Sequence, residues 1–238
     1  MAKFVALVSG KGGTGKTTSA LNLGQAFINT GKKAIVVDAN LTTPNLALHL
    51  GVLQPKSTLN QFLRKESSLN DILHAHPCGL SFIPASPSYA EFKKTDSAAL
   101  GSLFNHLENL ADVIVVDAPS GLGQDVEHVL RLCDEALVVA NPTPSSMMDA
   151  LKTIKLAENN ETPISGVLLN MSHNGRHELS VKEVEEILGH AVIANVKHHR
   201  KFRKALHQQV PLAYKYKRSG LSKEFTKVAN YLSLEQNG

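Results

Sequence analysis

Tryptophan is absent from this 238-residue chain, and aromatic residues make up only 5% of it. A core must therefore rest on aliphatic packing, for which an apolar content of 42% is ample. Long apolar runs are missing too, and none reaches the roughly 18 residues of a membrane-spanning helix. Cysteine is scarce. Cys78 and Cys133 form no CxxC pair, which argues against a zinc or cluster site built on one chain. The start, Met1-Ala2-Lys3-Phe4-Val5, runs straight into a predicted strand and leaves no room for a signal peptide. These absences point to a reducing cytoplasm. No repeat, low-complexity stretch or linker is visible, so one domain is expected over residues 1–238.

Acid is missing locally. Between Ile187 and Lys223 there is no Asp or Glu, yet that window holds Lys197, Arg200, Lys201, Arg203, Lys204, Lys215, Lys217, Arg218 and Lys223. The rest of the chain carries 16 Lys/Arg against 21 Asp/Glu, although the whole is +4. Such asymmetry is a hint of an anionic partner.

What is present is a β-α alternation. Phe4–Ser9, Ala34–Asp38, Leu80–Pro84, Val113–Asp117, Ala136–Ala140, Ile164–Asn170 and Ala191–Val196 read as strands. Most are continuously apolar and rich in Val and Ile, as strands buried on both faces should be. Helical patterns cover Thr17–Thr30, Ala98–Leu110, Ser146–Glu158, Val181–Leu188 and Leu221–Leu232. Ser180 and Glu183 make a capping box for the fourth, and Gly189 follows its end. The alternation predicts an α/β fold, a doubly wound and mostly parallel sheet flanked by helices, with ligands bound beyond the carboxyl ends of the strands.

Gly10-Lys11-Gly12-Gly13-Thr14-Gly15-Lys16-Thr17 matches G-x-x-x-x-G-K-[ST] between a predicted strand and a predicted helix, the context that confirms a phosphate loop. Glycines let successive N–H groups turn inward around phosphate oxygens, and the helix start adds its dipole and unpaired N–H groups. Lys16 is expected to reach the β- and γ-phosphates, Thr17 to ligate Mg²⁺ and Thr18 to contact the α-phosphate.

Lys11 is an extra. With it, Lys11-Gly12-Gly13-Thr14-Gly15-Lys16-Thr17-Thr18 resembles the K-G-G-x-G-K-T-[ST] loop of the MinD/ParA family of deviant Walker A ATPases. The resemblance implies ATP with Mg²⁺ as ligand, an ATP-dependent homodimer, and a Lys11 that crosses to the partner's nucleotide. It continues along nearly the whole chain. Asp38-Ala39-Asn40 followed by Asn45-Leu46 is similar to the family's switch I, D-x-D-x-x-x-x-N-L. Asp38 is implied to hold a magnesium-bound water. Asn40 departs from the family aspartate that positions or activates the attacking water; an amide orients water but accepts no proton, so slow hydrolysis is expected. Val113 to Gly121 resembles a Walker B strand running into switch II, with Asp117 at its tip implied to hold magnesium through water. Asn141-Pro142 resembles the family's N-P dipeptide, and Asn170 the asparagine at the adenine edge.

The segment after the last strand departs from the family. Where many MinD-like chains have a Pro-Glu-Asp-like loop, this one reads Lys197-His198-His199. Arg200, Arg203/Lys204 and His207 follow at helical spacing and would share one face. That face is read either as solvated, as a surface for DNA, anionic lipid or an acidic protein, or as a border of the nucleotide. The tail from Asn230 to Gly238 lacks Lys and Arg and does not read as an interfacial anchor.

The resemblance is closest to the MinD branch and implies a dimeric switch that positions a division site, a chromosome or another cargo through a protein activator or adaptor, at a membrane or nucleoid where partners take it. The rivals are an ATP-binding scaffold without turnover and a metallocentre-maturation ATPase.

Overall fold

The structure is a computed structural model that describes residues 1–173, 175 and 177–234. Residues 235–238, the end of the tail just discussed, lie outside the described residues. The sheet is built from β1 (Lys3–Ser9), β2 (Ala34–Asp38), β3 (His74–Ala75), β4 (Ser81–Ile83), β5 (Val113–Ser120), β6 (Glu135–Ala140), β7 (Ile164–Ser172) and β8 (Val192–Lys197). Their spatial order is β3-β4-β2-β5-β1-β6-β7-β8. Every pairing is parallel except β3 with β4, which is antiparallel at the edge. The expected mostly parallel, helix-flanked sheet is thus what the chain forms.

The continuous apolar runs follow from burial on both faces. In β1, Val5 and Leu7 join a core with helices Lys16–Asn29 and Gly220–Leu234, whose Phe27 and Phe225 are fully buried. Phe4, Ala6 and Val8 join the opposite core with helices Leu100–Leu107, Gln124–Leu132, Pro144–Asn159 and Val181–Leu188. Burying one such Leu or Phe contributes about 2 kcal/mol. Cys78 packs in the first core and Cys133 against the second, so the sheet separates them.

Local signals explain the helix ends. Ser180 N donates to Glu183 Oε2 at 2.8 Å, Glu183 N donates back to Ser180 Oγ at 3.3 Å, and Gly189 ends that helix at φ 68°. The helix expected over Ala98–Leu110 instead starts as a 3₁₀ turn, Ser97–Ala99, because Asp96 Oδ1 accepts from Ala98 N at 2.9 Å. Helix Gln124–Leu132 has no counterpart in the sequence reading.

All but one of the strands run the same way, so Ser9, Asp38, Asp117, Ala140, Asn170 and Lys197 end at one edge of the sheet. Helix Lys16–Asn29, leaving β1, and helix Pro144–Asn159, leaving β6, lie on opposite faces. The crevice between them is where ligands bind in doubly wound sheets.

Candidate functional site

The phosphate loop links β1 to helix Lys16–Asn29 and is clamped from outside. A Cβ at Gly10 would lie 2.4 Å from the Asp149 carbonyl oxygen, so only glycine lets the loop start against helix Pro144–Asn159. Gly15 sits at φ 86° as N-cap, a left-handed conformation that costs glycine little. No side chain caps this helix, which leaves its first N–H groups directed at the cleft. Asn170 Nδ2 donates to Thr14 O at 2.8 Å, and Asn141 Nδ2 donates to Asn170 O at 3.0 Å. Both asparagines therefore brace the loop. Pro142 accepts Leu179 N at its carbonyl, 3.1 Å away. Gly12, Gly13 and Thr14 line the cleft with Gly15, Lys16, Thr17 and Thr18, around a volume of about 200 Å³.

Beneath the loop, register places Asp38 of β2 beside Asp117 of β5. Lys16 Nζ donates to Asp117 Oδ1 at 2.7 Å and to the Ala118 carbonyl. Thr17 Oγ1 donates to Asp117 Oδ2 at 2.6 Å. Asp38 is fully buried and accepts from the N–H groups of Asn40 at 3.2 Å, Asn45 at 3.2 Å and Leu46 at 3.1 Å. Burial, and next the charge of Asp117, push its carboxyl up to about 7 despite those donors. Two adjacent buried carboxylates and a threonine hydroxyl form an oxygen-only donor set, which suits a hard cation such as Mg²⁺.

Asn40 is buried at the same cleft but is locally engaged. Its Nδ2 donates to Thr43 O at 3.0 Å and its Oδ1 accepts Thr43 N at 3.1 Å, closing a turn over residues 40–43. The half-buried His49 lines the cleft with it, its imidazole pushed below its ordinary pKa by burial. Lys11 stands at the loop's mouth, where its Nζ donates to Ser145 Oγ at 2.9 Å and lies 3.9 Å from Asp149. Met148, on the same helix, is 56% exposed.

Next to the phosphate cleft is a second cavity of about 150 Å³, lined by Thr18, Asn170, Met171, Lys197, His198, His199, Phe202 and Arg203. Met171 adopts φ 57° where the β7–β8 register shifts, a strain of the kind that clusters at functional sites. The His198 ring stacks on His173 with centroids 4.6 Å apart.

The basic segment folds as helix Arg200–His207. Arg200, Arg203, Lys204 and His207 are exposed and Ala205 is buried, but Arg203 alone of the four lines the second cavity. Lys201 turns aside, with its Nζ 5.1 Å from the centre of the Tyr216 ring. Among the described residues none of Lys197, Arg200, Lys201, Arg203 and Lys204 pairs with a carboxylate.

The structure thus brings Gly10–Thr18, Asp38, Asn40, Asp117, Asn141 and Asn170 to one crevice, with Lys197 and Arg203 at its far end. Sequence reasoning missed His49, Met171 and Phe202. Phe202 had a signal, being the apolar member of an otherwise basic run.

Known proteins match this arrangement. The family model described as the ParA, NUBPL iron-transfer P-loop NTPase covers residues 1–233. An uncharacterized ATP-binding protein of Methanocaldococcus jannaschii is 34% identical over 229 residues, 96% of this chain and 87% of that protein. The antiactivator FleN of Pseudomonas aeruginosa is 31% identical over 238 residues, 95% of this chain and 85% of FleN. The septum site-determining protein MinD of Pyrococcus horikoshii, solved in complex with Mg-ADP, superposes with a TM-score of 0.93 at 26% identity, covering 100% of this chain and 98% of that one.

Proposed function

This chain belongs to the MinD/ParA family of P-loop NTPases, and from that premise we propose that it is an ATP-switched homodimer that positions a cargo in the cell. Gly10 to Thr18 cradle the phosphates, Lys16 leaves Asp117 for the β- and γ-phosphates, and Asn170 faces the adenine. Thr17, Asp38 and Asp117 would hold Mg²⁺, which when bound offsets phosphate charge. Residues 1–238 act as one unit.

The observation that carries the reading is Lys11. It stands at the mouth of the loop, 38% exposed, on a serine hydroxyl rather than in a buried pair. A contact of that kind is worth about 1 kcal/mol and is readily exchanged for a phosphate on a second chain. Lys11→Ala should therefore bind nucleotide as a monomer yet fail to dimerise with Mg-ATP, as read by light scattering. A dimer that persists unchanged would refute the trans role.

Asn40 favours a second reading, an ATP-holding scaffold with little turnover. Its amide is committed to Thr43, and it has no basic group to take a proton from water. The iron-transfer description of the family model finds less support here, because the sheet stands between Cys78 and Cys133. The outward cations of helix Arg200–His207, Arg200 and Lys204 among them, form the surface for an anionic partner. Binding to duplex DNA and to anionic vesicles across a salt series tests it; a salt-insensitive result with both would return the helix to a solvated face.

A further inference from the structure

The crevice has two positive ends, and only one has a use in ATP. At the first end, loop N–H groups and Lys16 face the phosphates. At the other, Lys197 and Arg203 carry the charge of the cavity that holds Asn170, which His198 and His199 also line. Among the described residues neither Lys197 nor Arg203 pairs with a carboxylate. Adenine and ribose are uncharged, so this second set has nothing to offset in ATP.

The position of Arg203 narrows the choice. It lines the Asn170 cavity and also the adjoining groove shared by Thr18 and His49. Thr18 in turn borders the phosphate cleft. Arg203 therefore stands where the base cavity and the Thr18 groove adjoin, beside the path from phosphate loop to base cavity that the nucleotide reading implies. Phe202 and Met171 give that cavity apolar walls suited to a base. Arg200 and Lys204 on the same helix do not line it, which separates the inward cations from those available to a polymer outside.

We propose that this cavity accepts a nucleotide bearing a further phosphate on its ribose 2′ or 3′ oxygen, held by Arg203 and Lys197. The guanidinium fork matches two phosphate oxygens at once, and the lysine adds a point charge. The inference rests on the nucleotide reading above and names a ligand class for the same site.

The test compares ADP with adenosine 3′-phosphate 5′-diphosphate and its 2′-phosphate isomer, with Mg²⁺, by calorimetry on the full chain. One isomer should bind roughly tenfold tighter than ADP, as one charge-assisted contact gives. In Arg203→Gln with Lys197→Gln the affinity ratio should fall to about one, while Lys204→Gln keeps it. Equal affinity of ADP and both isomers in the wild type overturns the proposal and leaves the ATP reading intact. No binding of any of the three removes the ATP reading itself. A ratio unchanged in the double variant also overturns the assignment, and thermal melts of the exposed-residue variants confirm that they fold.

Discussion

The Lys16 ammonium meets Asp117 Oδ1 at 2.7 Å and so joins residues 101 positions apart, while Thr17 holds the other carboxylate oxygen. The one carboxylate occupies both the lysine and the threonine of the phosphate loop. On the reading proposed above, nucleotide would draw Lys16 away and leave Asp117 to share a metal with Thr17 and Asp38.

Lys16→Ala tests this pairing without any ligand. It strands a buried carboxylate beside Asp38, and unfolding in urea should show a loss of about 3 kcal/mol. Adding Asp117→Asn should recover most of that loss while nucleotide binding stays absent. A single variant as stable as the wild type would show that the pair does not hold the loop.

Two neighbouring glycines should behave oppositely. Gly10→Ala drives a methyl group into the Asp149 carbonyl and should cost about 2 kcal/mol. A Cβ at Gly12 meets nothing within 4 Å, so Gly12→Ala should change apo stability by less than about 0.5 kcal/mol. Equal losses in thermal melts would mean that the loop is not clamped by helix Pro144–Asn159.

Asn40→Asp restores a proton acceptor at the cleft. Phosphate release should rise roughly a hundredfold, at a cost of about 1 kcal/mol in apo stability for the amide donor lost to Thr43. Unchanged release from an intact ATP dimer would place the limit on turnover elsewhere.

Burial pushes both thiols up, Cys133 well above its ordinary value. Raising a thiol lowers its thiolate fraction at pH 8, so iodoacetamide should modify the native chain at least about tenfold more slowly than the urea-unfolded one. Rapid native labelling, read by mass spectrometry, would reopen the metallocentre reading.

Seven of the eight strands were legible, β2, β5 and β6 as nearly unbroken aliphatic runs, whereas the two-residue β3 (His74–Ala75) has no such run; the loop was legible because its glycines and lysines sit at fixed offsets. Helix Gln124–Leu132 was missed although Val126, Val129 and Leu130 stand at i, i+3 and i+4, because it spans only nine residues directly after a Gly-rich turn. Leu46–His49 and Leu212–Lys215 are single turns held by tertiary contacts rather than by a periodic pattern. The residue types at the cleft were readable, but their long-range partners were not. Nothing in the spacing of Asn170 and Thr14 reveals that one braces the other.

Thr18 lies at the meeting of three cavities; the phosphate loop beside it hangs from β1 and Asn170 from β7, with β6 hydrogen-bonded between the two strands. Two strand spacings fix that gap at roughly 10 Å, and a sheet packed on both faces does not stretch. The crevice is therefore a caliper. On the nucleotide reading proposed above it would gauge the span of a ligand before it reads the chemistry at either end, and a molecule too short to reach both jaws would gain only half of the grip.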